Sequence, residues 1–228
     1  MFKKIILTLS YVLYPNRCPC CKSLISHNLI FCERCNKALK AQSEHIGKFQ
    51  DRFGQHFKCI SVFEYKGIIK KAILNYKFFN RKDYSEKFSK LMAKCLKEKL
   101  VDTEFDLITS VPMTKEKTKK RGYNQSRQLA KKISKIINIR YEETLFKIQK
   151  NSEQHTLGAK DRKKNCVGVY QIIKSARVKN KKILLCDDVI TTGNTLLECV
   201  TVLKESRAKE VFCITLAVCH LRSPSKIS

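Results

Sequence analysis

The stretch Lys182-Ile183-Leu184-Leu185-Cys186-Asp187-Asp188-Val189-Ile190-Thr191-Thr192-Gly193-Asn194-Thr195 decides the reading of this chain. It runs as an apolar strand, two adjacent carboxylates, a hydroxyl-and-glycine turn, and then the start of a helix. That order suits the holding of a sugar phosphate. Two carboxylates accept hydrogen bonds from vicinal ribose hydroxyls. The turn from Thr191 to Thr195 offers successive backbone N–H groups and three hydroxyls to a phosphate, and a helix beginning near Asn194 adds its positive dipole end at the same place. Acids alone would repel phosphate, so the pair and the turn make chemical sense only together. A plain strand-to-helix turn needs one capping Asp or Thr, not two acids and three threonines around a glycine.

This pattern resembles the phosphoribosyl-pyrophosphate-binding loop of type I phosphoribosyltransferases: four apolar residues, two acids, two further residues, then Thr-Thr-Gly-x-Thr. The resemblance implies that Asp187 and Asp188 face the ribose 2′ and 3′ hydroxyls. It implies that Thr191, Thr192, Gly193, Asn194 and Thr195 cradle the 5′-phosphate.

Reading outward, strands and helices alternate. Short apolar runs at 61–65, 105–111, 143–148, 168–173 and 211–219 read as strands. Periodic stretches at 68–79, 85–100, 124–137 and 195–206 read as helices. In the helix at 85–100, Phe88, Leu91, Met92, Cys95 and Leu96 form a core stripe. Alternation of this kind predicts an α/β fold with a parallel sheet, right-handed crossovers and a ligand site at the carboxyl ends of the strands. Residues 38–57 read as a polar linker. The segment between Pro112 and Asn124 reads as a basic loop, and 149–165 as a long polar loop.

Cys18-x-x-Cys21 and Cys32-x-x-Cys35 are two CxxC pairs ten residues apart. Each places two thiolates within reach of one tetrahedral ion, which predicts a small zinc ribbon with a closed, structural site. Cys20 offers a CxC alternative that suits a knuckle less well, and His27 and His45 lie near enough to compete as ligands. A redox CxxC or an iron–sulfur cluster is the competing chemistry. Arg17, Lys22, Arg34 and Lys37 would help keep the thiolates ionised.

The chain has 228 residues, enough for one medium domain and a small module. Twelve cysteines in a chain without a cleavable leader argue for a reducing, cytoplasmic setting. The seven outside the CxxC pairs and Cys20 (Cys59, Cys95, Cys166, Cys186, Cys199, Cys213 and Cys219) read as small core residues. The apolar run within residues 1–14 is too short to span a bilayer, so no transmembrane segment is expected; it reads as a short element packed on the cysteine module. Lys and Arg number 47 against 20 acids, a net charge of +27. That field favours polyanions, although lysine-rich composition and solvated helix faces produce the same excess. Tyr76, Phe78 and Phe79 interleave with Arg81 and Lys82 as a single-strand stacking surface would, and also as a core would.

Further segments carry a more specific likeness. Val111-Pro112-Met113, the run Lys119-Lys120-Arg121-Gly122-Tyr123-Asn124-Gln125, Gln154-x-x-Leu157 with Arg162 and Asn165, and the four-cysteine module together resemble the ComF family. Its members are phosphoribosyltransferase-like proteins associated with bacterial DNA uptake and natural transformation. The likeness extends from about Tyr14 to His220, with Met113, Thr114, His155 and Thr156 departing from the usual pattern. It implies a zinc-ribbon module at 1–45 and a phosphoribosyltransferase-like domain at 55–222.

It further implies phosphoribosyl pyrophosphate as ligand, with Mg2+ on the pyrophosphate and ribose hydroxyls, Pro112 and Arg121 at the pyrophosphate, and the 149–165 loop as a lid. Asp187, Asp188 and Arg121 would then serve pentosyl transfer to an acceptor that no residue names. Single-stranded DNA and DNA-uptake or recombination proteins are the further partners implied. The competing functions are a non-catalytic single-stranded-DNA-binding factor that senses the ligand and a docking scaffold.

Overall fold

The computed structural model describes residues 15–26, 28–40, 45–50, 56–78, 83–148, 168–174 and 176–219. Within them one six-stranded sheet carries the fold. Its strands are β1 (His45–Gln50), β2 (His56–Glu64), β3 (Leu107–Ser110), β4 (Arg140–Tyr141), β7 (Lys182–Ile190) and β8 (Glu210–Val218), in the spatial order β1-β2-β8-β7-β3-β4. Strands β2, β8, β7, β3 and β4 run parallel, and β1 closes one edge antiparallel to β2. The helices are α1 (Glu33–Lys40), α2 (Gly67–Phe78), α3 (Tyr84–Lys99), α4 (Lys115–Arg121), α5 (Gln125–Ile137) and α6 (Asn194–Glu205).

Strand order places the site. From β3 the chain passes through α5 to β4 on one side, whereas β7 lies on the other side of β3 and leads through α6 to β8. The order therefore reverses between β3 and β7, and a crevice opens at such a switch point outside the carboxyl ends of the strands. Strand β3 pairs with β7 only as far as Ser110 opposite Cys186, and the Val111 N–H donates to the Cys186 carbonyl at 3.0 Å. The chain then turns away at Pro112, which lacks the N–H a further rung would need. Asp187 and Asp188 follow immediately on β7, where the neighbouring strand has left.

Alternation along β7 loads both faces of the sheet. Leu184 and Cys186 join a core with α2, α3 and α5, while Ile183 and Leu185 join a second core with α6. Fully buried Ile69, Ile73 and Tyr76 on α2, Phe88 and Met92 on α3, and Leu129 and Ile133 on α5 fill the first. Tyr76 meets Phe88 edge-on at 5.7 Å and Tyr123 at 5.6 Å. Its hydroxyl donates to the Gln125 carbonyl at 3.0 Å. Desolvation lifts that phenol well above its usual range, so it stays neutral. Tyr76→Phe removes this buried hydrogen bond, and urea unfolding is expected to show a loss of about 1 kcal/mol with an unchanged m-value.

Several expectations for the chain path are revised. The supposed linker at 38–57 contains β1 and the first residues of β2. Strand β1 lies at the edge of the sheet, where polar sequence is common. The basic loop after Pro112 is helical: Thr114 caps α4 by accepting from the Lys117 N–H, and Gly122 (φ 77°) ends it in the left-handed region. The strands near 143–148 and 168–173 do not enter the main sheet. They are β5 (Leu145–Lys147) and β6 (Tyr170–Ile172), paired antiparallel with each other. The lid at 149–165, with Gln154, Leu157, Arg162 and Asn165, and the apolar run at 1–14 lie outside the described residues, as do Cys166 and His27. No helix among the described residues is long and apolar enough to cross a membrane.

Candidate functional site

Asp187 and Asp188 are both 8% exposed. The Ser126 hydroxyl, in the first turn of α5, donates to Asp187 Oδ1 at 2.6 Å, and the Asp188 N–H donates to the same oxygen at 2.8 Å. Lys77 Nζ lies 3.0 Å from Asp188 Oδ2. Desolvation, reinforced by the neighbouring Asp188 charge, pushes the Asp187 carboxyl up to about 7 against the pull of Ser126, the Asp188 N–H and Lys77. Burial and the same two acids push the preceding Cys186 thiol well above its usual value, which makes it an inert core residue.

The turn after the acids has the shape its sequence requires. Gly193 sits at φ 81°, a conformation that costs glycine little, and it serves as the cap of α6. Among the described residues no side chain caps that helix, so the first N–H groups of α6 face outward beside the exposed Thr191 and Thr192. Asn194 and Thr195 open the helix. Farther along α6, buried Glu198 accepts from the Gly168 N–H at 2.7 Å and so ties down the chain where it returns from the long loop.

Asn124 Nδ2 donates to the Val111 carbonyl at 3.0 Å and Asn124 caps α5, which ties the turn at Pro112 to the start of that helix. A cavity of about 640 Å3 opens along this loop, lined by Pro112, Met113, Lys115, Arg127, Tyr141 and Lys147. The acidic pair is not part of its wall. The Arg121 Cζ lies 4.9 Å over the Phe78 ring and its Nη1 donates to Gln125 Oε1 at 3.4 Å. Phe78 itself is 59% exposed, while Tyr76 is fully buried, so the aromatic series splits between surface and core. Phe79, Arg81 and Lys82 lie outside the described residues.

Lys77 and Ser126 are the site residues that sequence reasoning missed. Ser126 directly follows the Asn124-Gln125 pair, and that adjacency was the available signal. For Lys77 the signal was the likeness of Tyr76-Lys77-Phe78 to the ComF family's segment between cysteine module and core, which named no role for a lysine in the last turn of a helix.

The Sγ atoms of Cys18, Cys21, Cys32 and Cys35 all lie within 4.8 Å of one another. Tetrahedral thiolates around zinc stand about 3.8 Å apart, so the cluster could hold a structural metal ion with small adjustment. The first pair lies in a hairpin knuckle, where the Lys22 N–H donates to the Cys18 carbonyl and Lys22 takes φ 66°. The second pair opens α1, whose N-terminal dipole favours thiolates. Despite its desolvation, Cys21 is drawn down to about 6 by the Ser23 hydroxyl and N–H, Cys32 and Cys18. Cys20 is pushed up to about 12 by burial and by Cys18. The knuckle is bolted to the sheet domain: Asn75 Nδ2 donates to the Pro19 carbonyl at 3.0 Å, Lys87 Nζ to the Arg17 carbonyl at 2.7 Å, and Phe31 packs edge-on against Phe63. The described cysteines form no disulfide, and Cys59, Cys95, Cys186, Cys199 and Cys213 are buried.

A parallel sheet with paired acids and a Thr-Thr-Gly turn at its switch point defines a protein of the phosphoribosyltransferase type, and residues 120–226 match the phosphoribosyl transferase domain family. The similar proteins are more particular. The chain is 25% identical over 205 residues to the DNA utilization protein YhgH of Escherichia coli O6:H1, covering 86% of this chain and 88% of that one. It is 25% identical over 186 residues to competence protein F of Haemophilus influenzae (79% and 81%), and 27% identical over 152 residues to competence protein ComFC of Streptococcus pneumoniae (64% and 66%). The chain is thus similar to ComF-type competence proteins and to DNA utilization proteins, over a phosphoribosyl-transferase-type domain.

Proposed function

We propose that the chain binds phosphoribosyl pyrophosphate and transfers its phosphoribosyl group, with loss of pyrophosphate, in the handling of transforming DNA. The buried Asp187–Asp188 pair at the switch point carries this reading. Its carboxylate oxygens accept the two ribose hydroxyls, and the turn from Thr191 to Thr195 with the α6 N-terminus binds the 5′-phosphate. That arrangement leaves C1 of the ribose toward Pro112, where the bond to pyrophosphate breaks as the acceptor's bond forms. Mg2+, when bound with the ligand, would neutralise pyrophosphate charge. Zinc at Cys18, Cys21, Cys32 and Cys35 is structural, and the module at 1–45 braces the domain at 55–222 through the Pro19 and Arg17 contacts. The competence and DNA-utilization names of the relatives support the setting.

Isothermal titration with phosphoribosyl pyrophosphate and Mg2+ tests the donor site. Wild type should bind, the Asp187→Ala/Asp188→Ala double variant should lose at least about a hundredfold in affinity, and folded wild type that does not bind refutes the reading. A second reading, single-strand DNA binding, is favoured by the +27 charge and the exposed Phe78 under Arg121. It requires log affinity to fall with log salt by about 0.7 per contacted phosphate.

A further inference from the structure

Lys77 reaches the acidic pair from outside the strand-turn-helix unit. A lysine in the last turn of a helix usually extends to water, where its charge also favours the helix dipole. Here the side chain is 18% exposed and its ammonium is 3.0 Å from Asp188 Oδ2. The end of α2 is held in place by a bracket. The Tyr123 hydroxyl donates to the Tyr76 carbonyl, Gln125 Nε2 donates to the Lys77 carbonyl at 3.4 Å, and the Tyr76 hydroxyl returns a bond to the Gln125 carbonyl. Arg121 covers Phe78 on the same helix end. The run from Arg121 to Gln125 thus satisfies carbonyls at the C-terminus of α2 and fixes where Lys77 begins. Ser126, the next residue, holds Asp187. One continuous segment therefore sets both partners of the acidic pair.

That placement has a chemical consequence. Two adjacent buried carboxylates would repel each other and attract a divalent cation, for which carboxylate oxygens are suitable ligands. Lys77 occupies the Asp188 side of the pair with a single charge and three N–H donors. We infer that Lys77 is a positioning and specificity-determining residue: it fixes Asp188 for a ribose hydroxyl and keeps the free site closed to divalent cations, so that Mg2+ enters only together with a pyrophosphate-bearing ligand. The roles toward a ribose hydroxyl and a pyrophosphate-bearing ligand rest on the donor-binding reading above; the exclusion of divalent cations from the free site does not.

The test uses the full chain as wild type, Lys77→Met, Lys77→Gln and Lys77→Arg, with Mn2+ alone as the first probe and phosphoribosyl pyrophosphate with Mg2+ as the second. Wild type and Lys77→Arg should bind Mn2+ weakly by electron paramagnetic resonance. Lys77→Met and Lys77→Gln should bind it at least about tenfold more tightly, and Asp188→Asn in the Lys77→Met background should abolish the gain. Affinity for phosphoribosyl pyrophosphate should fall about tenfold in Lys77→Met and recover in Lys77→Arg. Circular dichroism shows whether each variant is folded, and the Asp188→Asn background ties any gain in Mn2+ binding to the acidic pair rather than to unfolding. Equal Mn2+ binding by wild type, Met and Gln variants overturns the inference. Wild type that ignores phosphoribosyl pyrophosphate while the Mn2+ contrast holds overturns the donor reading and leaves the cation-excluding role of Lys77 standing.

Discussion

Replacing Cys21 by Ser is expected to abolish metal binding, unfold residues 15–40 and lower the melting temperature of the whole chain, whereas Cys20→Ser keeps one metal per chain. The segment is too short to bury a core of its own, and in peptides of this size a four-cysteine zinc site contributes about 10 kcal/mol of folding free energy. Cys18, Cys35, Phe31 and Leu39 also belong to the core that contains Ile73, Phe88 and Leu129. Loss of the metal therefore exposes part of the sheet domain's own packing, and the thermal transition should shift as one unit. Metal content by mass spectrometry, beside a thermal scan with and without chelator, gives the answer. Equal metal in Cys21→Ser and wild type would mean that Cys20 takes the fourth position, as its buried Sγ beside Cys18 and Cys35 would allow. An unmoved transition would mean that the module contributes nothing to the stability of the sheet.

The strand-acid-turn-helix unit was legible because every part of its geometry is local: a nine-residue strand, a glycine at positive φ and a helix start follow one another in sequence. The same holds for the paired cysteines, whose spacing is itself the constraint. What escaped was decided between distant residues. Ser126 and Lys77 meet the acids across 61 and 111 positions of chain, and only the packing of α2 and α5 against β7 brings them there. Arg121 stacks over Phe78, which lies on a helix whose position no local pattern reveals. The hairpin β5–β6 misled for a related reason: a three-residue strand looks the same whether its partner lies in the main sheet or stands apart from it.

Asp187→Asn should bind no phosphoribosyl pyrophosphate yet fold more stably than wild type at pH 8. Both effects come from one carboxylate. Its folded pKa of about 7 lies above the usual aspartate range, so the folded chain holds a proton that the unfolded chain has released between about pH 4 and pH 7. Wild-type stability therefore falls as pH rises through that window. Asparagine cannot ionise. Its side-chain oxygen can still accept from the Ser126 hydroxyl and the Asp188 N–H, which both bond Oδ1. It should be more stable at pH 8 by roughly 2–4 kcal/mol and no more stable at pH 4. Binding runs the opposite way. Ribose hydroxyls need an ionised acceptor, so wild-type affinity should be full above pH 7 and drop by up to about tenfold per unit below it. Urea titrations at pH 4 and 8 and calorimetry from pH 5.5 to 8.5 measure the two arms. A variant destabilised at pH 8 would mean that the Asp187 charge is already compensated in the free protein. A flat binding profile would mean that Asp187 does not receive a ribose hydroxyl. The two effects are opposed because the burial that makes this acid costly to ionise also gives it strength as an acceptor once ligand hydroxyls replace water.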